Sequence, residues 1–517
     1  MRLDPASLQV LISRLVGIAE EMGGVLRRAA YSPNIKERAD CSAALFAAGG
    51  ELLVQAEHIP VHLGSMPAAV RAAIDATLDD GVRPGEQIVL NDPFAGGTHL
   101  NDVTLVAPCF VDDRLVGWAA NRAHHADLGG IAPGSMPPEA LEIDQEGLRL
   151  PPMLLTAAVE ARFASSSRTP DERRGDLDAQ KGANRLGVER LAGLARRLGA
   201  TAPDAFAEII DYGERRMRAA LVELPDGEWR FDDVLDSAGP RPDQQQSTPV
   251  VVTLRIAGDT ATFDFTGTGA QRPGNVNAVE AVTVSAVAFA LRCATDPTIP
   301  ANGGATRPVT VLAPAGTVVA AQPPVAVGAG NVEVSQRVAD VCLGALANAV
   351  PDRLGAASQG TMNNVMLGGD TWVYYETIGG GQGGRPGRAG MSGVHTNMTN
   401  TRDTPIEALE RALPVRVRVY ALRGGSGGTG RWSGGDGIRR DLELLTPATV
   451  SLVTERRTSR PWGLAGGDPG ATGENWLLRG GVEATAERVA DKVTLELQPG
   501  DVLRILTPGG GGWGTRG

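Results

Sequence analysis

The chain has 517 residues, of which 42% are hydrophobic and 21% are charged, and it carries a formal net charge of −11 at pH 7. A length of this order predicts about three domains, each able to bury a core without disulfides or metal ions. The acidic balance argues against a nucleic-acid-binding surface and against a polybasic membrane anchor as the main function.

The cysteines and the N-terminus point to a cytoplasmic protein. The four cysteines, at positions 41, 109, 293 and 342, form no Cys-x-x-Cys motif, which is typical of a reducing compartment. The first residues lack the apolar core of a signal peptide, and the longest apolar stretch, residues 281–291, is too short to cross a bilayer. We therefore expect a cytoplasmic protein that has neither a membrane nor a nucleic acid as partner.

The first 225 residues contain patterns typical of both helices and strands. Asp4 followed by Pro5 is typical of a helix start, and apolar residues at helical spacing extend that helix to about Ala30. Asp112 and Asp113 join two runs of strand composition, which predicts a hairpin with strands over residues 103–111 and 114–122. The other elements expected here are a hairpin over 38–54, a helix over 67–78, a strand over 87–90, a loop over 123–150 and charged helices over 171–224.

Strands, apolar helices and Gly-rich turns follow in the rest of the chain. Residues 228–265 predict strands, residues 278–291 and 332–350 predict helices, and residues after about 413 alternate short strands with Gly-rich turns. The Gly- and Arg-rich segment 379–390 is expected to be a flexible lid or an assembly loop. We therefore predict an α+β fold class, a mixed α/β multi-domain protein with an all-β C-terminal region. The predicted domains are residues 1–225, 226–412 and 413–517.

Histidines cluster in one short part of the chain. Five of the six, at positions 58, 62, 99, 124 and 125, lie within residues 58–125, far more than an even spread would place there. Because histidine is the commonest metal-ligating side chain, this clustering predicts a metal site in the N-terminal domain.

The predicted hairpin brings part of this cluster together. With the turn at residues 112 and 113, Asp102 faces Ala123 across an antiparallel ladder, so that five polar side chains converge at the open end of the hairpin. Imidazoles and carboxylates without thiolates suit Zn²⁺, Mn²⁺ or Fe²⁺ with an open position for water. The converging residues are His99, Asp102, His124, His125 and Asp127.

Four of the candidate residues have more than one interpretation. Neighbouring side chains on a strand face opposite ways, so we assign His124 to the metal and expect His125 to contact a ligand or the substrate. His58 and His62 either line the same cavity or end a loop as hydrogen-bonded core residues. Asp40 is either a further ligand or general base, or part of a charged turn between a helix and a strand.

Phosphate-binding motifs are absent from the sequence. No Gly-x-x-x-x-Gly-Lys-Ser/Thr loop occurs, and the glycines at 328 and 330 do not continue as a dinucleotide-binding motif. Arg385 and Arg388 could bind an anion, but lie in the expected lid. We therefore find no convincing nucleotide site in this chain.

Seven segments resemble the hydantoinase B/oxoprolinase family, in one collinear order over nearly the whole chain. The resemblance implies the B-type subunit of a hetero-oligomeric, ATP-dependent enzyme that hydrolyses hydantoins, 5-oxoproline or related lactams, with ATP bound by a separate hydantoinase A-type subunit. From the homologous subunit of the acetone and acetophenone carboxylases it also implies that His99, Asp102 and His124 hold the metal. The segments are residues 31–38, 55–66, 96–102, 121–127, 357–364, 399–407 and 507–512.

The expected function is that of a metal-dependent amidohydrolase subunit. The partner is expected to phosphorylate the amide oxygen of a cyclic amide, and water activated by the metal attacks the carbon. Asp127, Asp40 or His125 could accept the proton. The alternatives are a subunit of an ATP-dependent ketone carboxylase, whose metal stabilises an enolate, and a non-catalytic scaffold subunit whose histidines are structural.

Overall fold

The computed structural model describes residues 4–56, 59–77 and 81–516. Helices and strands alternate over most of these residues, and strands dominate after residue 413, so the predicted α+β class is confirmed. All four cysteines are free thiols. None of the described helices is long and apolar enough to cross a membrane.

The longest described helices lie in three parts of the chain, at the N-terminus, in residues 157–222 and in residues 280–349, and shorter helices lie between and after them. In chain order they are α1 (Pro5–Ala29), α2 (Pro33–Lys36), α3 (Met66–Asp75), α4 (Ala157–Ser165), α5 (Pro170–Leu198), α6 (Ala202–Val222), α7 (Glu280–Ala294), α8 (Gly303–Thr306), α9 (Ser335–Ala349) and α10 (Ile406–Ala412).

Strands form four sheets within the described residues. The first, in the order β2-β1-β5-β4-β3-β6, contains β1 (Cys41–Ala47), β2 (Leu52–Gln55), β3 (Ile88–Leu90), β4 (Asp102–Val111), β5 (Arg114–His124) and β6 (Met153–Leu154). The second, β10-β9-β8-β7, contains β7 (Gly227–Leu235), β8 (Thr248–Ala257), β9 (Thr260–Asp264) and β10 (Val309–Leu312).

The third and fourth sheets hold the remaining strands. These are β11 (Asn364–Gly368), β12 (Val373–Glu376), β13 (Val415–Arg423), β14 (Gly437–Leu444), β15 (Ala448–Val453), β16 (Glu474–Leu478), β17 (Ala486–Val489), β18 (Lys492–Leu497) and β19 (Val502–Leu506). The third sheet has the order β12-β11-β15-β18, and the fourth β13-β14-β19-β16-β17. Apolar residues of both sheets form one core cluster, and the pairing of β11 with β15 joins strands on either side of the predicted domain boundary at residue 412.

Helix α1 begins where the sequence predicts. The Asp4 carboxylate accepts hydrogen bonds from the backbone N–H groups of Ala6 and Ser7, and Pro5 is the first helical residue. The apolar face of α1 packs with residues of β1, β2, α5 and α6 in a single buried cluster. This packing fixes the helix against one face of the first sheet.

The β4–β5 hairpin forms as predicted, with its turn at Asp112 and Asp113. Their φ angles of 48° and 59° lie in the left-handed region, which matches a two-residue turn between twisted strands. Next to this turn Val111 pairs with Arg114, in the predicted register.

A β-bulge then changes the register of the hairpin. It lies between Cys109 and Phe110 and shifts the pairing by one residue towards the open end. Asp102 consequently pairs with His124, and the predicted pairing of Asp102 with Ala123 is wrong. The bulge adds one residue to one strand only, which the turn position alone does not indicate.

A π-helical segment, Gly330–Val334, leads into α9 beside the second sheet. Such segments are rare and often occur at functional sites. At Gly330 the backbone approaches Asn277 so closely that a Cβ atom would lie 1.8 Å from the Asn277 carbonyl oxygen. A side chain at position 330 would therefore displace the whole segment.

The segment 379–390 packs against two other Gly-rich segments. Gly381 donates its N–H to the Pro508 carbonyl at 3.0 Å, and a Cβ at Gly381 would lie 2.0 Å from the Gly435 carbonyl oxygen. Backbone-to-backbone packing of this kind requires glycine. It contradicts the expectation of a flexible lid for residues 379–384, whereas Arg385 and Arg388 lie at the exposed tip.

Candidate metal centre

Three side chains converge at the open end of the β4–β5 hairpin. His99 Nε2 lies 3.2 Å from Asp102 Oδ1, and His124 Nδ1 lies 3.3 Å from the same oxygen. All three residues are buried, and their candidate ligand atoms lie within 4.8 Å of one another. These spacings suit one shared divalent ion, since metal–ligand distances of about 2.0–2.2 Å separate neighbouring ligand atoms by roughly 3 Å.

The backbone fixes the three side chains relative to one another. Asp102 is the first residue of β4 and His124 the last of β5, and the two form a cross-strand pair. His99 lies in the turn before β4, where its carbonyl accepts a hydrogen bond from the Asp102 N–H at 3.1 Å. The three side chains are therefore held by a sheet and a hydrogen-bonded turn.

Several buried polar atoms at this centre have no hydrogen-bond partner among the described residues. They are both ring nitrogens of His99, Asp102 Oδ1 and His124 Nε2. A buried polar atom left unpaired costs about 1–3 kcal/mol. A divalent ion would bind one ring nitrogen of His99 and Asp102 Oδ1. Zn²⁺, Mn²⁺ and Fe²⁺ prefer imidazole and carboxylate ligands, which are the groups present here.

Asp102 is oriented through its second oxygen. Oδ2 accepts hydrogen bonds from Thr98 Oγ1 at 2.8 Å and from Asn331 Nδ2 at 3.2 Å, and His62 Nε2 lies 3.3 Å away. His62 is itself held by Ser42, whose Oγ lies 2.8 Å from Nδ1. Partners of this kind leave Oδ1 directed at His99 and His124.

The charge states suit a metal-binding carboxylate and a neutral imidazole. Burial opposes ionisation of Asp102, but the neighbouring imidazoles of His99, His62 and His124 hold the pKa of that carboxyl well below its usual value. Burial lowers the pKa of His124. At pH 7 Asp102 is therefore ionised, and His124 keeps a lone pair available for a metal.

An aromatic ring supports His124 from behind. The Tyr375 ring stacks on the His124 imidazole, with centroids 4.5 Å apart and planes 19° apart, and its hydroxyl donates to Asn364 Oδ1 at 2.9 Å. The Arg38 guanidinium lies over the Tyr375 ring, 5.0 Å from its centroid. Asn34 donates to the His124 carbonyl at 2.6 Å, which fixes the end of β5.

A small cavity of about 20 Å³ adjoins the centre, room for about one water molecule. Asp102 and His124 form part of its wall, together with carboxylate, hydroxyl and apolar side chains from several loops. Among its lining residues are Asp40, Ile59, Val61, His62, Asn331, Tyr375, Thr399 and Thr401. Asp40 and the two candidate ligands Asp102 and His124 therefore border one cavity.

His125 and Asp127 contact residues other than His99, Asp102 and His124. His125 Nε2 is 2.9 Å from Gln180 Oε1, and its ring meets the edge of Phe163. Asp127 forms an ion pair of 2.8 Å with Arg168 and accepts a hydrogen bond from Ser167. The predicted convergence of five side chains is therefore wrong for Asp127, which holds the loop after β5, and His125 faces Gln180 and Phe163 while His124 faces Asp102.

Of the three remaining candidates, His62 and Asp40 lie among the described residues. His62 contacts Asp102, and Asp40 lines the small cavity. His58 lies outside the described residues. Sequence reasoning missed Thr98, Asn331 and Tyr375, because no local pattern distinguishes a polar or aromatic residue that supports a site through tertiary packing.

Comparisons with known proteins agree on one family. The family model described as Hydantoinase B/oxoprolinase matches residues 4–516. A protein of Methanocaldococcus jannaschii is 40% identical over 99% of this chain and 91% of its own length. The 5-oxoprolinase 1 of Arabidopsis thaliana is 38% identical over 99% of this chain, which spans only 42% of that protein. A B-type subunit of a putative D-/L-hydantoinase from a Pseudomonas species is 31% identical, over 99% of this chain and 90% of its own.

Two solved structures share the fold. The ATP-dependent caprolactamase from Pseudomonas jessenii has a TM-score of 0.92 and 29% identity, covering 99% of this chain and 91% of the other. A nucleotide-free acetone carboxylase has a TM-score of 0.89 and 19% identity, covering 99% of this chain and 76% of the other. At 19% identity the second likeness concerns the fold alone.

Proposed function

Because this chain belongs to the hydantoinase B/oxoprolinase family, we propose that it is the metal-binding component of an ATP-dependent enzyme that opens cyclic amides. The substrate class we propose is a hydantoin, 5-oxoproline or a related lactam. The observation that carries this proposal is the convergence of His99, Asp102 and His124 at one buried point.

These three residues would hold one divalent ion, for which Zn²⁺, Mn²⁺ and Fe²⁺ are the candidates. When bound, such an ion supplies Lewis-acid chemistry and lowers the pKa of water. Thr98 and Asn331 orient Asp102, and Tyr375 keeps the His124 ring in place. The surrounding residues exclude bulk water, since the adjoining cavity has room for about one molecule.

The proton acceptor we propose is Asp40. Asp40 lines the same cavity as Asp102 and His124, so we expect its carboxylate to reach water held there. Asp127 and His125, the other two candidates, contact Arg168 and Gln180 instead. That difference in surroundings favours Asp40.

ATP chemistry is proposed to take place on a hydantoinase A-type subunit. The chain spans about two fifths of the curated 5-oxoprolinases and nine tenths of the Pseudomonas hydantoinase component, which supports a second component that is either fused or separate. That component would phosphorylate the amide oxygen, and the complex would be a hetero-oligomer. The free thiols favour a reducing, cytoplasmic compartment.

The test is turnover by the chain co-purified with its A-type partner. With ATP and a panel of lactams and hydantoins, the wild type should release ring-opened product, and Asp102→Ala should lose at least about 100-fold in rate while the complex still assembles. Full activity in Asp102→Ala would refute the proposed centre.

A ketone carboxylase subunit is the second candidate, supported by the fold shared with acetone carboxylase. Labelled bicarbonate distinguishes the two, because label in the product requires carboxylation. The third candidate, a scaffold with structural histidines, predicts only a trace of metal per purified chain.

A further inference from the structure

The small cavity beside the candidate metal centre has threonine hydroxyls in its wall that the proposed mechanism does not use. Thr377 and Thr401 line this cavity together with Asp40, the proposed proton acceptor. Both threonines are buried, with 2% and 7% of their surface exposed. The other polar residues that line the cavity are His62, Asp102, His124, Asn331, Tyr375 and Thr399.

A buried arginine holds the two hydroxyls together. Arg38 has no exposed surface, and its Nη2 donates to Thr377 Oγ1 at 2.6 Å and to Thr401 Oγ1 at 3.3 Å. The two hydroxyl oxygens lie 2.7 Å apart, so one hydroxyl donates to the other. Because Arg38 lies before β1, Thr377 follows β12 and Thr401 precedes α10, these contacts join three distant parts of the chain at the cavity wall.

The hydrogen bonds within this group leave one donor and one acceptor unused. Two hydroxyls carry two hydrogens and four lone pairs. Arg38 fills one lone pair on each oxygen, and the contact between the hydroxyls uses one hydrogen and one further lone pair. Neither hydroxyl has another hydrogen-bond partner among the described residues. One O–H and one lone pair of the threonine pair therefore remain available at the cavity wall.

Other residues of the cavity wall also have unused hydrogen-bonding groups. Asn331 Oδ1 and His124 Nε2 are buried and have no partner among the described residues. The carboxylate of Asp40 forms no hydrogen bond to any described side chain or backbone group. A buried water typically makes about three hydrogen bonds, and a cavity of about 20 Å³ has room for about one water. The lining of this cavity therefore suits a single ordered water.

We propose that Thr377 and Thr401, held in place by Arg38, bind the attacking water in the small cavity and fix it beside Asp40. This inference rests on the proposed function, in which water attacks an activated cyclic amide and Asp40 accepts a proton. The threonine pair gives the water a second anchor besides Asp40, so that the water meets the substrate in one orientation. Arg38 acts through the threonines and is a positioning residue.

The experiment is a crystal structure of the full-length chain at a resolution that shows ordered water. In the wild type, a water should lie within hydrogen-bond distance of a hydroxyl of the threonine pair and of the Asp40 carboxylate. T377V/T401V keeps the shape of both side chains without their hydroxyls and should lose this water, whereas T377S/T401S restores the hydroxyls and should keep it. Thr396→Val is the matched control and should keep the water, because Thr396 is buried, its hydroxyl has no partner among the described residues, and it does not line the cavity.

A single variant covers the case in which the double variant does not fold. T401V leaves the shorter contact between Arg38 and Thr377 intact. In the complex with the A-type partner, T401V should lower kcat about tenfold, which is the effect of one lost hydrogen bond, with unchanged KM and metal content. T401S should keep the wild-type kcat.

Three outcomes would overturn the inference. They are a wild-type cavity in which no water contacts either threonine, a water that keeps its place in T377V/T401V, and a T401V variant whose kcat is unchanged or falls only with its metal content. Asp102→Ala tests the proposed function separately. The water can be missing while ring opening still depends on Asp102, and full turnover by Asp102→Ala with the water in place would refute the metal centre alone.

Discussion

Asn331→Leu should weaken metal binding without changing any ligand. Asn331 donates a hydrogen bond of 3.2 Å to Asp102 Oδ2, and its own Oδ1 has no partner among the described residues, so the substitution removes one hydrogen bond only. A hydrogen bond to a charged group contributes about 1.5–3 kcal/mol, which corresponds to about 10- to 100-fold in affinity. Losses typical of residues that orient metal ligands span the same range.

Competition with a chromophoric chelator for Zn²⁺ or Mn²⁺ measures the effect as a change in Kd. Asn275→Leu is the matched control, because this buried amide donates to the backbone carbonyl of Pro137 and not to Asp102. The control should lose stability but keep the wild-type Kd. If Asn331→Leu folds and also keeps the wild-type Kd, Asp102 is not oriented through this contact.

Two further predictions concern Tyr375 and Glu333. Tyr375→Leu removes the ring that stacks on His124 and should raise the metal Kd about two- to tenfold. Tyr375→Phe keeps the stacked ring, loses the hydroxyl that donates to Asn364, and should change only the stability of the fold. Equal Kd values for the two variants would contradict this prediction. Burial, with the charge of Glu455, raises the pKa of Glu333 to about 8, so the folded state keeps a proton that the unfolded state loses above its ordinary pKa. The free energy of unfolding should therefore fall as the pH rises from about 6 to about 8, and it should fall less in Glu333→Gln. Calorimetric Tm values measured over this pH range test the prediction. Parallel plots of Tm against pH for the two proteins would refute it.

Much of the N-terminal region could be predicted because its signals are local. The Asp4–Pro5 start of α1, the two-aspartate turn of the hairpin and the segregation of His99, Asp102 and His124 to one end all follow from residues close together in the sequence. The register could not be predicted, since a bulge of one residue leaves the alternation of apolar residues almost unchanged.

The supporting contacts could not be predicted for a different reason. Asn331 lies in the π-helical segment before α9 and contacts Asp102 across 229 residues of sequence, and Tyr375 reaches His124 from β12. Only tertiary packing brings them there. Likewise, the Gly-rich composition of 379–390 is compatible with both a mobile loop and close backbone packing, and the neighbouring Gly-rich segments decide between these.

Metal content of the purified chain tests the central claim most directly. After incubation with Zn²⁺ or Mn²⁺ and removal of free ion, elemental analysis of the wild type should find one ion per chain, and the double variant H99A/D102A should retain almost none. His125→Ala, whose ring contacts Gln180, should keep the wild-type content. A double variant that retains as much metal as the wild type would contradict the account.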